Sequence, residues 1–520
     1  MNKRTAALLL TLGFIQCTAG AAASTVNSPA GSFVGGQQGD ISHFLGIPYA
    51  TPPTGDLRWR APRPLPASTD TFDATQYGPA CPQPQWSVNR DLPQSEDCLT
   101  LNIWAPDTNP DRPLPVMVWI HGGSFKVGSN RWWVAEGQRL AAKGVVVVSI
   151  NYRLGLLGRF SHPALTAEQG EQTIANFGLA DQVMALRWVR DNIGHFGGDQ
   201  SNVTIFGYSA GAVSVNFLAA LPSAKGLFHR VISQSSAVSI PRSRQMLSDL
   251  PGRPSLESEG TLIAEKLGLP PDAGSAELRA LTVEQLLAYA LPPGSMNPVV
   301  DGGVVTEDLS TSYRRGDLNM NSLIIGVDSW EASLARGMHA MPGPAFQSIL
   351  TRGHGFTEEQ VAETYGEDRD PYAVGDELFA DGFHASSLWL AHQARDGGVD
   401  TYLYWFSYLP PAADPLTGVP HGGEVPYVFA TLEHRERVGK PPVTNNDKAF
   451  STLIQDYWTS FAAIGKPSAP GGKDWRALHD NDNWMVLGEA VGMKQDLLKE
   501  RMALWMSHYE KQTVKPTEAY

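Results

Sequence analysis

Cysteine is scarce, with three residues in a chain of 520. That excludes a small scaffold stapled by many disulfides. A basic surplus is lacking too: Lys and Arg total 40 against 53 Asp and Glu, a formal net charge of −13. A nucleic-acid binder shows the opposite balance or a basic stripe, so nucleic acid is not an expected partner. No stretch after the N-terminus reaches about 18 uninterrupted apolar residues, and no integral membrane span is expected. No period of about 20–50 residues recurs, which excludes a solenoid. No Gly/Ser-rich or Pro-rich linker divides the chain. With 42% hydrophobic and 18% charged residues, what remains is a folded chain with a large core, neither disordered nor fibrous.

The first residues read as an address. Lys3 and Arg4 precede an apolar run over residues 5–15, too short to span a bilayer, and A-x-A patterns follow at Ala19-Gly20-Ala21 and Ala21-Ala22-Ala23. This predicts a secretory signal peptide cleaved after about residue 21 or 23, so that residues 1–23 are leader and 24–520 mature chain, secreted or periplasmic. Phe14-Ile15-Gln16 before Cys17 is a poor lipoprotein context. Removing the leader leaves Cys81 and Cys98. In an exported protein an even pair suggests one disulfide, worth about 3 kcal/mol in the chain-entropy model; two buried thiols are the alternative. The pair is too far apart, with no histidine at ligand spacing, to read as a metal site.

Between residues 114 and 235 strands alternate with helices. Residues 116–120, 145–150, 203–206 and 231–234 are short apolar, β-rich runs. Residues 179–192 have helical spacing, and 210–221 form a second helix stopped by Pro222. Continuous apolar strands separated by helices predict an α/β fold, a large, mostly parallel sheet covered on both faces. Further on, Leu262, Ile263 and Leu267 suggest a helix, and Thr282-Val283-Glu284-Gln285 is a capping box opening another. Strands are expected at 323–325 and 401–406, and helices at 449–463 and 501–509, the tail beyond Lys511 being polar and frayed. The helical stretches around 240–320 and 335–400 read as insertions over the sheet within a single domain.

The strand at 203–206 runs into Gly207-Tyr208-Ser209-Ala210-Gly211, a G-x-S-x-G between strand and helix. That context gives the motif its meaning: a sharp turn lifts a serine Oγ clear of the backbone, and the N-terminus of the next helix favours a developing oxyanion. His121-Gly122-Gly123-Ser124-Phe125 follows directly on the 116–120 strand. Gly122 and Gly123 would aim backbone N–H groups at a carbonyl oxygen, joined by the N–H of Ala210.

These residues, with several others, resemble the type-B carboxylesterases, the α/β-hydrolases that include cholinesterases and bacterial para-nitrobenzyl esterases. The likeness runs from about Gly31 to Tyr509. It includes Phe44-Leu45-Gly46-Ile47-Pro48-Tyr49-Ala50, Glu96-Asp97-Cys98-Leu99, Asn151-Tyr152-Arg153 and Gly178-Leu179-Ala180-Asp181-Gln182. It implies an acid at Glu331 and a base at His421, the latter in His421-Gly422-Gly423-Glu424-Val425-Pro426-Tyr427-Val428-Phe429. Asp328 stands nearby as a rival acid. The order Ser209, Glu331, His421 is independently the nucleophile–acid–base order of α/β-hydrolases. The resemblance implies a Cys81–Cys98 disulfide, structural ion pairs Arg58–Glu96 and Arg153–Asp181, and ester hydrolysis through an acyl-enzyme on Ser209 with no metal or organic cofactor. The expected partner is a small-molecule ester, and the expected state a monomer or weak homodimer.

The chain departs from the family in places. Tyr208 replaces the usual Glu before the nucleophile, which removes a buried carboxylate near the triad, and Ala332 replaces a glycine after Glu331. Lys126 follows the oxyanion loop, and Arg159 stands where the family often has an apolar residue. Lone basic side chains usually reach solvent. Placed at the acyl pocket, Lys126 and Arg159, with Tyr208, would instead favour esters bearing free carboxylates, a taste similar to that of fumonisin-type esterases, which remove tricarballylic side chains. Trp86, Trp132, Trp133 and Trp330 would line a gorge or pack. A lipase on longer acyl chains, or an adhesion protein of the same fold that has lost catalysis, are the alternatives. The retained Ser209, Glu331, His421 and glycine loop argue against the second.

Overall fold

The computed structural model describes residues 24–513 apart from 67, 86–90, 107–111, 171, 239, 241–243, 250–253, 292–294, 411–417, 434, 436–441 and 480. The expected leader, Trp86 and the tail beyond 513 lie outside the described residues. Among the described residues thirteen strands form one sheet. In chain order they are β1 (Ser24–Ser28), β2 (Gly31–Gln38), β3 (Ile41–Pro48), β4 (Thr71–Asp73), β5 (Thr100–Ala105), β6 (Leu114–Ile120), β7 (Val146–Ile150), β8 (Gly198–Tyr208), β9 (Arg230–Gln234), β10 (Ser322–Asp328), β11 (Asp400–Phe406), β12 (Asn483–Leu487) and β13 (Gly492–Gln495).

The spatial order is β1-β2-β3-β5-β7-β6-β8-β9-β10-β11-β12-β13, with β4 beside β2. From β7 to β12 every neighbouring pair is parallel. Antiparallel strands close both ends. The central strands are β-branched and apolar because both faces are covered. Along β6, Val116, Val118 and Ile120 join one buried cluster, which takes in Leu186 and Val189 of the helix Phe177–Asn192 and Val215 and Leu218 of the helix Ala210–Ala220. Met117 and Trp119 join another on the opposite face, with Tyr457, Trp458 and Phe461 of the helix Asn445–Ile464. This period of two sets the register, since each buried aliphatic side chain contributes about 1.5–3 kcal/mol that a one-residue slip would forfeit.

The strand and helix expectations match in place and type, most with longer bounds, although the strand expected at 145–150 begins at Val146 and the helix expected at 210–221 ends at Ala220. β8 starts at Gly198 rather than 203, because Gly198 already pairs with Leu114, and a register shift over the polar residues 199–202 separates it from the regular ladder that begins at Val203. The Thr282 capping box forms: its Oγ1 accepts the Gln285 N–H at 3.2 Å, and the Gln285 side chain accepts the Thr282 N–H at 2.8 Å. Between β10 and β11 lies a helix read only as part of a helical region, Pro371–Asp396, whose Asp370 cap accepts two backbone N–H groups. Arg58–Glu96 and Arg153–Asp181 are both two-pronged pairs, the second at 2.7 and 2.8 Å and almost fully buried. No helix among the described residues is long and apolar enough to cross a membrane.

Candidate active site

The Ser209 turn is made by close approaches. β8 ends at Tyr208 and the next helix begins at Ala210. Ser209, between them, has φ 56° and ψ −124°, a conformation that costs an L residue about 1–3 kcal/mol. The flanking glycines permit it. A Cβ on Gly207 would lie 2.6 Å from the Ile120 carbonyl oxygen, and one on Gly211 only 2.0 Å from it. Both glycines of the G-x-S-x-G pattern are therefore dictated by packing against the end of β6. The Ser209 N–H donates to the Gln234 carbonyl at 2.9 Å. Ala210 is the first residue of its helix, so its N–H has no intrahelical acceptor.

The loop after β6 lies against this turn. A Cβ on Gly122 would strike the Tyr208 ring and carbonyl at 2.7 Å. Gly123, Ser124 and Phe125 all have positive φ, and the loop closes when the N–H groups of Lys126 and Val127 donate to the Gly123 carbonyl at 3.0 and 3.1 Å. His121 clasps it from within. A carbonyl only accepts, so His121 Nδ1–H donates to the Gly122 oxygen, at 2.8 Å. The ring stacks on Tyr152 at 4.4 Å, and the Tyr152 hydroxyl donates to the His121 carbonyl. Burial pushes the His121 imidazole down to about 4, so it stays neutral near pH 7. A further clamp comes from Gln83, whose side chain exchanges two hydrogen bonds with the Gly128 backbone at 2.8 and 2.9 Å. Gln83 stands two residues after Cys81, which forms the expected disulfide with Cys98. Sequence reasoning missed the parts played by His121 and Gln83; the only local signal was that His121 opens the glycine loop.

Glu331 follows the end of β10, is fully buried, and accepts a hydrogen bond from His421 Nδ1 at 2.5 Å. A carboxylate has no proton to give, so Nδ1 carries the hydrogen and Nε2 is left with a lone pair, the state a general base requires. Burial lowers the His421 pKa, but the charge and hydrogen bond of Glu331 outweigh it, and the net is above the ordinary histidine value. Burial raises the Glu331 carboxyl, yet His421, the Ser235 hydroxyl and the Asp328 N–H bring it below its ordinary range. The two segments are sewn together around this bond. Trp330 N–H donates to the Val419 carbonyl, Val419 N–H to Ser329 Oγ, and His421 N–H to Ser333 Oγ, all at 2.9 Å. The Phe383 ring, from the helix Pro371–Asp396, meets the His421 ring edge-on at 5.3 Å.

Tyr208, the residue before Ser209, packs beside His421. Its ring lies 6.0 Å from that of His421, stacks parallel to Trp119, and abuts Gly422, where a Cβ would come within 2.8 Å of it. His421 Nε2 makes no hydrogen bond among the described residues, so the Ser209–His421 bond is not closed in this structure. Catalytic hydrogen bonds of unliganded enzymes are often long in this way. Asp328, the rival acid, reaches the loop behind the ring: its Oδ2 accepts the N–H groups of Gly422 and Gly423. Position 208 supplies no carboxylate here, yet Asp328 and Glu424 are both fully buried in the same region.

Neither basic residue simply reaches solvent. The Lys126 ammonium donates to the Leu291 carbonyl at 2.8 Å, and partial burial lowers its pKa. Arg159 is 4% exposed. Their segments meet where the Gly155 N–H donates to the Phe125 carbonyl at 2.8 Å, with Arg159 ending the turn that Gly155 begins. Trp132, Trp133 and Trp330 are half-buried. Trp330 lies under the Arg336 guanidinium at 4.4 Å.

A family model described as the carboxylesterase family matches residues 22–505. The chain is 34% identical to para-nitrobenzyl esterase of Bacillus subtilis (strain 168), over 92% of this chain and 97% of that protein. It is 32% identical to fumonisin B1 esterase of Sphingopyxis macrogoltabida, over 89% and 86%. A solved PNB esterase superposes with a TM-score of 0.80 at 31% identity, covering 95% of this chain and 99% of the other.

Proposed function

Because the chain belongs to the carboxylesterase family and is a carboxylic ester hydrolase, we propose that it works through an acyl-enzyme on Ser209, with His421 as general base and Glu331 as its orienting acid. The observation that carries this reading is the Glu331–His421 hydrogen bond, set beside a strained serine turn whose glycines pack on the oxyanion loop. Ser209 Oγ attacks the ester carbonyl carbon as its proton passes to His421 Nε2. The oxygen that becomes negative accepts the N–H groups of Gly122, Gly123 and Ala210. Collapse expels the alcohol, which takes the proton from His421. Water then attacks the acyl-enzyme, giving a proton to His421, and the acid leaves as Ser209 regains its hydrogen. Glu331 stabilises the imidazolium throughout without taking the proton. The test is Ser209→Ala on a nitrophenyl ester. A loss of about 10⁴-fold or more in kcat, with the nitrophenolate burst abolished, is expected; turnover near wild type refutes the assignment.

A second element of the reading concerns substrate. Lys126 and Arg159 lie on the two segments joined beside the oxyanion loop, and a relative acts on fumonisin B1. Two cations there favour acyl groups that carry free carboxylates, such as tricarballylic esters. Comparing acetyl and tricarballyl esters of one alcohol tests it. The tricarballyl-to-acetyl ratio of kcat/KM should exceed one, fall with salt, and drop about tenfold in Lys126→Ala. An acetyl preference would leave a general carboxylesterase. Export is the third element, supported by the N-terminal pattern and by a disulfide that suits an oxidising compartment. Sequencing the N-terminus of the protein recovered from outside the cytoplasm tests it.

A further inference from the structure

Three carboxyl groups lie fully buried within one small region: Asp328, Glu331 and Glu424. Glu331 is matched by His421. The other two are not matched by any cation among the described residues, and their hydrogen bonds say how they coexist. Asp328 Oδ2 accepts the N–H groups of Gly422 at 2.8 Å and Gly423 at 3.1 Å, the two residues that follow His421. Glu424 Oε1 accepts from Gln234 Nε2 at 3.2 Å, and the Gln234 carbonyl holds the Ser209 N–H. The remaining oxygens, Asp328 Oδ1 and Glu424 Oε2, meet no donor among the described residues, and Glu424 is near enough to raise the Asp328 carboxyl by its charge and as a hydrogen-bonding neighbour. Two carboxylates cannot hydrogen-bond to each other, because neither has a hydrogen to donate.

Resting on the assignment of His421 as the base, we propose that Asp328 and Glu424 share a single proton and that Asp328 is a positioning residue for His421, holding its loop by the Gly422 and Gly423 N–H groups. Position 208 supplies no carboxyl here, being an aromatic ring wedged between Trp119 and Gly422; the end of β10 supplies one instead. Burial first, and then the Glu424 charge, push the Asp328 carboxyl well above its usual range, consistent with Asp328 as the protonated member. The titratable groups facing the pair are Glu331, His421, Tyr208 and Tyr404. Both tyrosines are held neutral: burial and then Glu424 raise the Tyr208 hydroxyl, and burial and then Glu424, Asp328 and Glu331 raise that of Tyr404. The pair therefore carries one negative charge behind the imidazole.

An amide cycle tests this. In Asp328→Asn the amide oxygen keeps the two glycine N–H groups and the amide nitrogen donates to Glu424. In Glu424→Gln the amide nitrogen donates to Asp328. Each single variant replaces the shared proton by a permanent donor and keeps one negative charge. Each should lose less than about tenfold in kcat and leave the acid limb of the kcat/KM profile where it was. The double variant sets two amide nitrogens face to face. Its kcat should fall at least about tenfold below the product of the singles, and its acid limb should move to lower pH, because a negative charge that favoured the imidazolium is gone. Asp328→Ala should lose about 100-fold in kcat with KM within about threefold. If Asp328→Ala does not fold, the amide cycle still decides. Asp328→Asn as damaged as Glu331→Gln would make Asp328 the catalytic acid and overturn the proposal. So would a double variant equal to the product of the singles. Full turnover by Ser209→Ala would instead remove the triad assignment itself, and is read separately from the Asp328 variants.

Discussion

Replacing Gly211 by alanine should uncouple the nucleophile from its oxyanion loop. The added Cβ would sit 2.0 Å from the Ile120 oxygen, 2.9 Å from the Ile120 carbonyl carbon and 3.0 Å from the His121 oxygen. All three are backbone atoms of the segment that leads into Gly122, so no side chain can rotate away. Real Cβ contacts essentially never fall under 3.0 Å, so the start of the helix Ala210–Ala220 and the end of β6 must separate by about 1 Å. Overpacking of this kind costs about 1–3 kcal/mol of stability. The displacement also moves Ser209 and the Ala210 N–H away from the Gly122 and Gly123 N–H groups. A misplacement of about 1 Å costs about 100-fold in rate. The assay is kcat and KM on a short-chain nitrophenyl ester, with a thermal melt on the same preparation. Gly353→Ala is the control: it ends the helix Gly343–Gly353 with open space around it, and should leave kcat unaltered and the melt level or slightly raised. A Gly211→Ala enzyme with kcat within threefold of wild type and an unchanged melt would refute the account of the turn given above.

Activity should fall about tenfold per pH unit on the acid side, with a midpoint in kcat/KM above the ordinary histidine value of 6.5. The sign follows from Glu331: it favours the imidazolium, and only the neutral ring can take the Ser209 proton, so a raised pKa moves the loss of activity to higher pH; a midpoint below 6.5 would refute this. The same linkage appears in stability. The contribution of the Glu331–His421 pair is complete below the unfolded histidine pKa and is lost as pH rises through the folded value, which a pH series of denaturant midpoints on wild type and His421→Gln will read. Reducing the Cys81–Cys98 disulfide should cost about 3 kcal/mol and lower kcat as well, because the segment after Cys81 carries Gln83 to Gly128. Gln83→Ala with the disulfide intact should reproduce the loss of kcat without most of the loss of stability. Equal melting losses in the two variants would show that Gln83 acts only through the fold.

Much of this architecture can be read locally. β6, β7, β9 and β10 are short apolar runs whose type follows from composition and from the turns that bound them, and the tertiary fold then decides only their ends. Gly207, Gly211, Gly122 and Gly123 announce themselves because close backbone approach admits no other residue. The order Ser209, Glu331, His421 is likewise a property of the chain. The choice between Glu331 and Asp328 is of another kind. Both are acids at the end of one strand, three residues apart, and only the family resemblance of the segment, not any local propensity, favours Glu331 as the one that turns towards His421. The structure separates them by direction: Glu331 meets the ring and Asp328 meets the backbone behind it.

What the sequence determines by itself is the class of fold, the candidate nucleophile and the kind of chemistry, because these rest on periodicity and on residues whose neighbours in the chain are their neighbours in space. What only the tertiary structure decides is the set of partnerships made across the chain. His121 clasps the glycine loop at Gly122 and stacks on Tyr152, Gln83 reaches Gly128, Phe383 meets His421, and Asp328 holds the Gly422 and Gly423 N–H groups. Each joins segments far apart in the chain, and each depends on a bond direction or a desolvated charge, neither of which has any signature in the order of residues.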